Sequence, residues 1–244
     1  MLEVFSLEDI AVALRAQRCP ADHAFDRFLP EELRAVSAEH WTPLHVAVRA
    51  AGWLEEFDIH SVVDVGAGVG KFCVIGALAG RCRFVGFEQR GWLVDAARTL
   101  AQAFRVGERV AFVHGALGEV PSPLGEAYYF FNPFGENLYF DGHIDDDVEL
   151  GDERYVRDVD AAQELLRYAP VGTYALTYNG FGGTIPAGYR QVRVDRTLAC
   201  ELCLWRKTSL GARDMAQIEP QRPAPVHDQP CPPVDALRLL HESA

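Results

Sequence analysis

The sequence predicts an α/β fold: a mostly parallel sheet with helices on both faces, closed at one end by an antiparallel hairpin and preceded by a helical extension. Three observations predict it. From Ser61 onward, short β-branched and aromatic runs ("SVVDVG", "RFVGFE", "VAFVHG", "AYYFFN", "TYALTYN") alternate with helical stretches such as "WLVDAARTLAQAF" and "DVDAAQELLRYA", the rhythm of parallel strands covered by their own crossovers. After Asn179, "YRQVRVDR" and "ACELCLWRK" follow one another with only a few residues between them, which is the spacing of an antiparallel hairpin. Finally, 244 residues of which 49% are hydrophobic can bury a sizeable core within one domain.

Taken in order, residues 7–18 and 31–57 have helical spacing, with Leu44, Val48, Ala51, Trp53 and Leu54 forming a buried stripe before a break at Asp58. Residues 1–58 are therefore a helical extension. Within it "EHWTP" places His40, Trp41 and Thr42 before a helix in which Pro43 takes the first position and Thr42 the N-cap. Trp41 has two readings, a staple packed on its own helix or part of a lid folded over a ligand. Residues 59–208 form the sheet domain. The remainder, 209–244, is expected to be loosely draped, because residues 210–244 hold six of the fourteen prolines and few large apolar residues before "ALRLL".

Composition excludes several classes. No run of 18 apolar residues occurs and the N-terminus is amphipathic rather than basic then apolar, so a membrane span and a signal peptide are not expected and the compartment is expected to be cytoplasmic. A formal charge of −12 without a Lys/Arg cluster disfavours nucleic acid as a partner. Six scattered cysteines suit reduced thiols, and Cys200 and Cys203, an apparent CxxC inside a strand, would face opposite sides and share no metal. The sequence does not fix the oligomeric state.

The stretch "SVVDVGAGVGKF" ends a strand at Asp64–Val65 and starts a helix near Gly70, leaving a turn whose N–H groups and missing Cβ atoms suit a nucleotide-like ligand. A GxGxxG dinucleotide fingerprint would require glycine at position 71, which is Lys. Asp64, two places before the first glycine, would repel a pyrophosphate but attract an ammonium group. Glu88 closes the second strand twenty-two residues beyond Gly66, the spacing at which a strand-end acid reaches a ribose diol.

These residues, with "VVDVGAGVGKF", "VGFEQR" and the final "CELCLWRK" hairpin, resemble the class I S-adenosylmethionine-dependent methyltransferases over roughly residues 40–207. The resemblance implies a Rossmann-like, seven-stranded sheet with strand seven antiparallel. It also implies S-adenosyl-L-methionine as cofactor, with Asp64, Val65, Gly66, Ala67, Gly68 and Gly70 around the methionine moiety, Glu88 on the ribose and Gln89 near the adenine edge. Many members carry an acid after strand three; here that place is Ala116, so adenine would be held by backbone and apolar contact at Ala116 and Leu117. His114 has two readings, a strand-end histidine or a contact to adenine, and the first is preferred. Strand four ends in Asn132–Pro133–Phe134, which resembles the [D/N]PP[Y/F] motif of amino-methylating enzymes with one proline fewer. Asn132 would face the transferred methyl group, and an Asn–Pro turn that merely ends the strand is the other reading.

The reaction expected is methyl transfer to a nitrogen or oxygen of a small-molecule or protein acceptor. Glu136, Asp141 and His143 are the nearest candidate bases. The acidic run "DGHIDDDVELGDE" suggests a cationic acceptor, and "NGFGGTIPAGY" after strand five suggests either a substrate-side loop or a plain connector. Two other readings remain open: an NAD-dependent oxidoreductase, which Lys71 and Asp64 disfavour, and a binding domain that keeps the cofactor but not the transfer.

Overall fold

The computed structural model describes residues 5–138, 144, 145 and 147–210. Five helices precede the sheet: α1 (Leu7–Arg15), α2 (Asp22–Asp26), α3 (Glu31–Ala35), α4 (Ser37–His40) and α5 (Leu44–Glu56). The expected helix over 31–57 is thus broken at Val36 and again at Trp41–Pro43. Proline restricts the residue before it to extended backbone, and Pro43 itself is extended (φ −58°, ψ 144°) as the residue that caps α5. The expected N-cap role of Thr42 is therefore corrected. The Leu44 N–H donates instead to Asp22 Oδ1 at 2.9 Å, and Thr42 Oγ1 lies 3.0 Å from the Tyr129 hydroxyl.

The sheet holds seven strands: β1 (Ser61–Val65), β2 (Arg83–Glu88), β3 (Val110–His114), β4 (Ala127–Phe131), β5 (Tyr174–Tyr178), β6 (Tyr189–Asp195) and β7 (Leu202–Lys207). Their order is β3-β2-β1-β4-β5-β7-β6. β1 to β5 pair in parallel, and β7 runs antiparallel to both β5 and β6. This is the sheet and hairpin that the sequence predicts. Cys200 lies in the bend before β7 rather than inside the strand, so only Cys203 belongs to the pleat. Helices α6 (Lys71–Ala79), α7 (Gly91–Ala103) and α8 (Asp152–Tyr168) supply the crossovers.

The two faces are covered unequally. Right-handed crossovers place α6 and α7 on one face, where α5 also packs against α6. The large apolar cluster there is continuous from Ile10 in α1 to Leu204 in β7. On the opposite face lie α8 and the β3–β4 connection, residues 115–126, which contains no helix and only an isolated Leu117–Val120 bridge. The cluster on that face is smaller, gathered under α8 around Val63, Phe130, Val159 and Leu166. β3 registers the imbalance directly. Val110, 6% exposed, packs against the helix-rich face, while Val113 on the other is 36% exposed.

The chain has two lysines, and both are buried, each 2% exposed. Lys71 Nζ sits 2.7 Å from Asp22 Oδ1 and 2.7 Å from Asp26 Oδ1, joining the start of α6 to the N-terminal helices. Lys207 Nζ donates to the carbonyls of Leu166, Arg167 and Ala169. A cation there satisfies carbonyls that a helix C-terminus leaves without intrahelical partners.

Candidate cofactor and active site

The carboxyl ends of β1, β2 and β4 converge where an open parallel sheet receives its ligand, beside the switch in strand order between β1 and β4. After β1 the chain turns through three left-handed glycines, Gly66 (φ 76°), Gly68 (φ 52°) and Gly70 (φ 71°). That conformation penalises any residue with a Cβ. Space adds a second requirement. A Cβ on Gly66 would lie 2.7 Å from Pro133 Cβ, and one on Gly68 would strike the Trp41 ring. One on Gly70 would strike Phe112, so Gly70 allows α6 and β3 to pack closely.

Two carboxylates flank this turn. Asp64 is buried, and burial pushes its carboxyl up to about 7, with the Glu88 charge adding to the rise and the Cys73 thiol, which donates to Oδ2 at 3.3 Å, opposing it. Glu88 is also buried and its pKa is raised for the same main reason. Against that, it accepts the Gly68 N–H on Oε2 and the Arg90 N–H on Oε1, both at 2.9 Å. Between Asp64, Gly66, Ala67, His40, Trp41 and Phe131 lies a cavity of about 20 Å³, room for about one water. Trp41 is buried there, its indole N–H donating to the Leu33 carbonyl at 2.9 Å.

At the β4 end, Asn132 takes a left-handed conformation (φ 38°), which asparagine tolerates better than most residues. Its N–H donates to the Gly180 carbonyl at 2.9 Å, so the loop after β5 meets the end of β4. Pro133 follows through a trans peptide bond. Phe134 is buried in the apolar cluster beneath α8, so its ring is turned into the protein. Gln89 is tied twice: its carbonyl lies 2.9 Å from His114 Nε2, and its Oε1 accepts from Arg154 Nη2 at 3.2 Å. Ala116 and Leu117 are buried just past the end of β3.

Arg90 was not singled out from the sequence, and it organises the mouth of the site. Its side chain is buried and pairs with Glu136 Oε1 at 2.6 Å and Asp145 Oδ1 at 2.9 Å, while Trp92 Nε1 donates to Asp145 Oδ2 at 2.7 Å. Of the acidic run expected to overhang the site, Asp145 is thus already paired; Asp141, His143 and Asp146 lie outside the described residues. Buried Arg90 Nη2 and Glu136 Oε2 have no hydrogen-bond partner among the described residues. The place of Arg90 two residues after Glu88 is the one local signal of its role. Among the described residues no group of three or more His, Cys, Asp or Glu side chains is placed to hold a metal ion, and no helix is long and apolar enough to cross a membrane.

Strand order, glycine turn and terminal hairpin together give this chain the fold of the class I S-adenosylmethionine-dependent methyltransferases. Among solved structures, it is similar to an RNA methyltransferase from Salinibacter ruber crystallised with S-adenosyl-L-homocysteine, with a TM-score of 0.52 and 19% identity over 72% of this chain and 99% of that one. It is also similar to a putative O-methyltransferase from Klebsiella pneumoniae, with a TM-score of 0.49 and 15% identity over 82% and 96% of the two chains. A third, an S-adenosylmethionine-dependent methyltransferase from Geobacter sulfurreducens with S-adenosyl-L-homocysteine, has a TM-score of 0.43 and 17% identity over 69% of this chain and 59% of that one. No protein-family model matches the sequence, and no curated protein matches it.

Proposed function

We propose that this protein binds S-adenosyl-L-methionine at the β1–β2–β4 end of the sheet and transfers its methyl group to a nitrogen or oxygen of a small-molecule or protein acceptor. The observation that carries the reading is the pair of buried carboxylates, Asp64 and Glu88, on either side of a glycine turn. Two such acids raise one another's cost of ionisation, and a ligand bearing an ammonium group beside Asp64 and a diol beside Glu88 relieves both. The unpartnered Arg90 Nη2 and Glu136 Oε2 offer a further donor and acceptor at the same mouth. The charged and polar groups present therefore match the cofactor's own, and Trp41 must leave Gly68 for its methionine end to seat.

When bound, the sulfonium supplies an already activated methyl group, so the chain's task is to place the acceptor in line with it. Asn132 and the carbonyl of Pro133 stand at the β4 end to orient that acceptor. Glu136 is the described candidate for removing its proton, through the oxygen that Arg90 leaves unpaired. Trp41 acts as a gate: its ring rests on Gly68, where the methionine moiety would lie, and must swing aside to admit it. Replacing Trp41 with Ala should speed association of S-adenosyl-L-homocysteine in stopped-flow fluorescence or surface plasmon resonance. Unchanged rates would reduce Trp41 to a packing residue.

Calorimetry with S-adenosyl-L-homocysteine against NAD tests the cofactor. The sign of its pH dependence tests Asp64. With its carboxyl near 7 in the free protein, Asp64 is largely protonated below that pH and must lose the proton to hold an ammonium group. Affinity should therefore rise from about pH 5 to about pH 7, with proton release on binding that fades above this range. Asp64→Asn should weaken binding and flatten the profile. Binding of NAD alone, or a flat wild-type profile, would overturn the reading.

A further inference from the structure

We propose that the apolar groove between α8 and the β3–β4 connection is the seat of the chain's own C-terminal segment, residues 234–240. The groove has a volume of about 320 Å³ and is lined by Leu117, Val120, Leu124, Leu165, Tyr168 and Ala169, among others. Its apolar rim is open to an unusual degree for a described surface: Leu124 is 87% exposed and Tyr168 78%. An apolar segment laid along this groove would take both side chains out of water.

The fold explains why the groove exists. The β3–β4 connection crosses the α8 face, as a right-handed crossover must. It does so in twelve residues, "GALGEVPSPLGE", whose two prolines and three glycines oppose a helix. A parallel sheet normally has both faces covered. Here the space beside α8 is filled by no helix or strand among the described residues, and Val113 of β3, on the same face, is 36% exposed.

Three facts select the occupant. The described chain leaves β7 at the groove's end: the Gly172 N–H donates to the Lys207 carbonyl at 2.9 Å, and Lys207 Nζ holds the carbonyl of Ala169, a groove residue. Thr208 then donates its N–H to the Gly188 carbonyl at 2.7 Å, so a segment seated in the groove turns back across the end of α8, a helix about 10–12 Å across. The 23 residues from 211 to 233 would span about 25 Å as a flexible coil, ample for that crossing. Lastly, "PVDALRLLHE" places Ala236, Leu237, Leu239 and Leu240 on one side of a helical period, with Asp235, Arg238 and Glu242 on the other. Pro233 stands just before it, the residue best tolerated at a helix start. The sequence of the segment thus carries the apolar stripe that the groove calls for.

Hydroxyl-radical footprinting of the full chain tests this. Tyr168 and Leu124 should react more slowly in the wild type than in Leu237→Asp/Leu240→Asp, and Leu124→Asp should in turn lose the protection of Leu237 and Leu239. The tail variant alters no described residue, so its thermal transition provides the folding control. Equal labelling of Tyr168 in wild type and tail variant would overturn the proposal. Protection that disappears on dilution together with a dimer in size-exclusion chromatography would also overturn it, assigning the groove to the segment of a second copy.

Discussion

The two faces of the sheet are built by different means. On the face of α5, α6 and α7, one apolar cluster joins the N-terminal helices, the crossovers and the strands, and Lys71 runs through it to Asp22 and Asp26. On the other face one helix carries the load, its C-terminus held by Lys207, and among the described residues the remaining width has only a loop. The helix-rich face therefore shares its core with the segment that reaches the cofactor turn, since Asp22 both pairs with Lys71 and receives the Leu44 N–H. The sparse face holds α8 against the sheet and leaves room beside it.

The largest expected effect that would break this contrast comes from its cations. Lys71→Met leaves Asp22 and Asp26 facing one another without a counter-charge, and such a loss costs about 3–5 kcal/mol. Lys207→Met removes a charged donor from three carbonyls at the end of α8, worth about 1.5–3 kcal/mol. Denaturant unfolding should rank them in that order; the reverse ranking would mean that α8, not the N-terminal bundle, is the weight-bearing element. A smaller and sharper comparison lies within β3. Val110→Ala removes two methyls from a closed core and should cost about 2 kcal/mol, whereas Val113→Ala on the same strand should fall within about 0.5 kcal/mol. Equal losses would show that the α8 side is as closed as its opposite.

The fold was legible in the sequence, unevenly. Strands beginning at Ser61, Arg83 and Ala127 were legible because β-branched and aromatic residues crowd into runs bounded by glycine and charge. The hairpin was legible because no helix fits between Asp195 and Leu202. Asp64 and Glu88 were legible because strand ends fix their spacing. Arg90 was not, since its partners Glu136 and Asp145 are 46 and 55 residues away and only the tertiary fold joins them. Thr42 was misread because a proline-led helix start usually draws its cap from the preceding residue, and nothing local announced that Asp22 would supply it from another helix. Lys71 was read only as the residue that spoils a dinucleotide fingerprint; that its ammonium turns inward to two acids is a long-range fact.

The burial of both lysines has a practical consequence. A folded molecule offers amine-selective reagents no lysine at its surface, and the two it hides stand on opposite sides of the sheet. Timed acylation followed by peptide mapping would therefore give two clocks from one sample, position 71 recording when the N-terminal bundle opens and position 207 recording when α8 lets go, without a dye or an engineered cysteine.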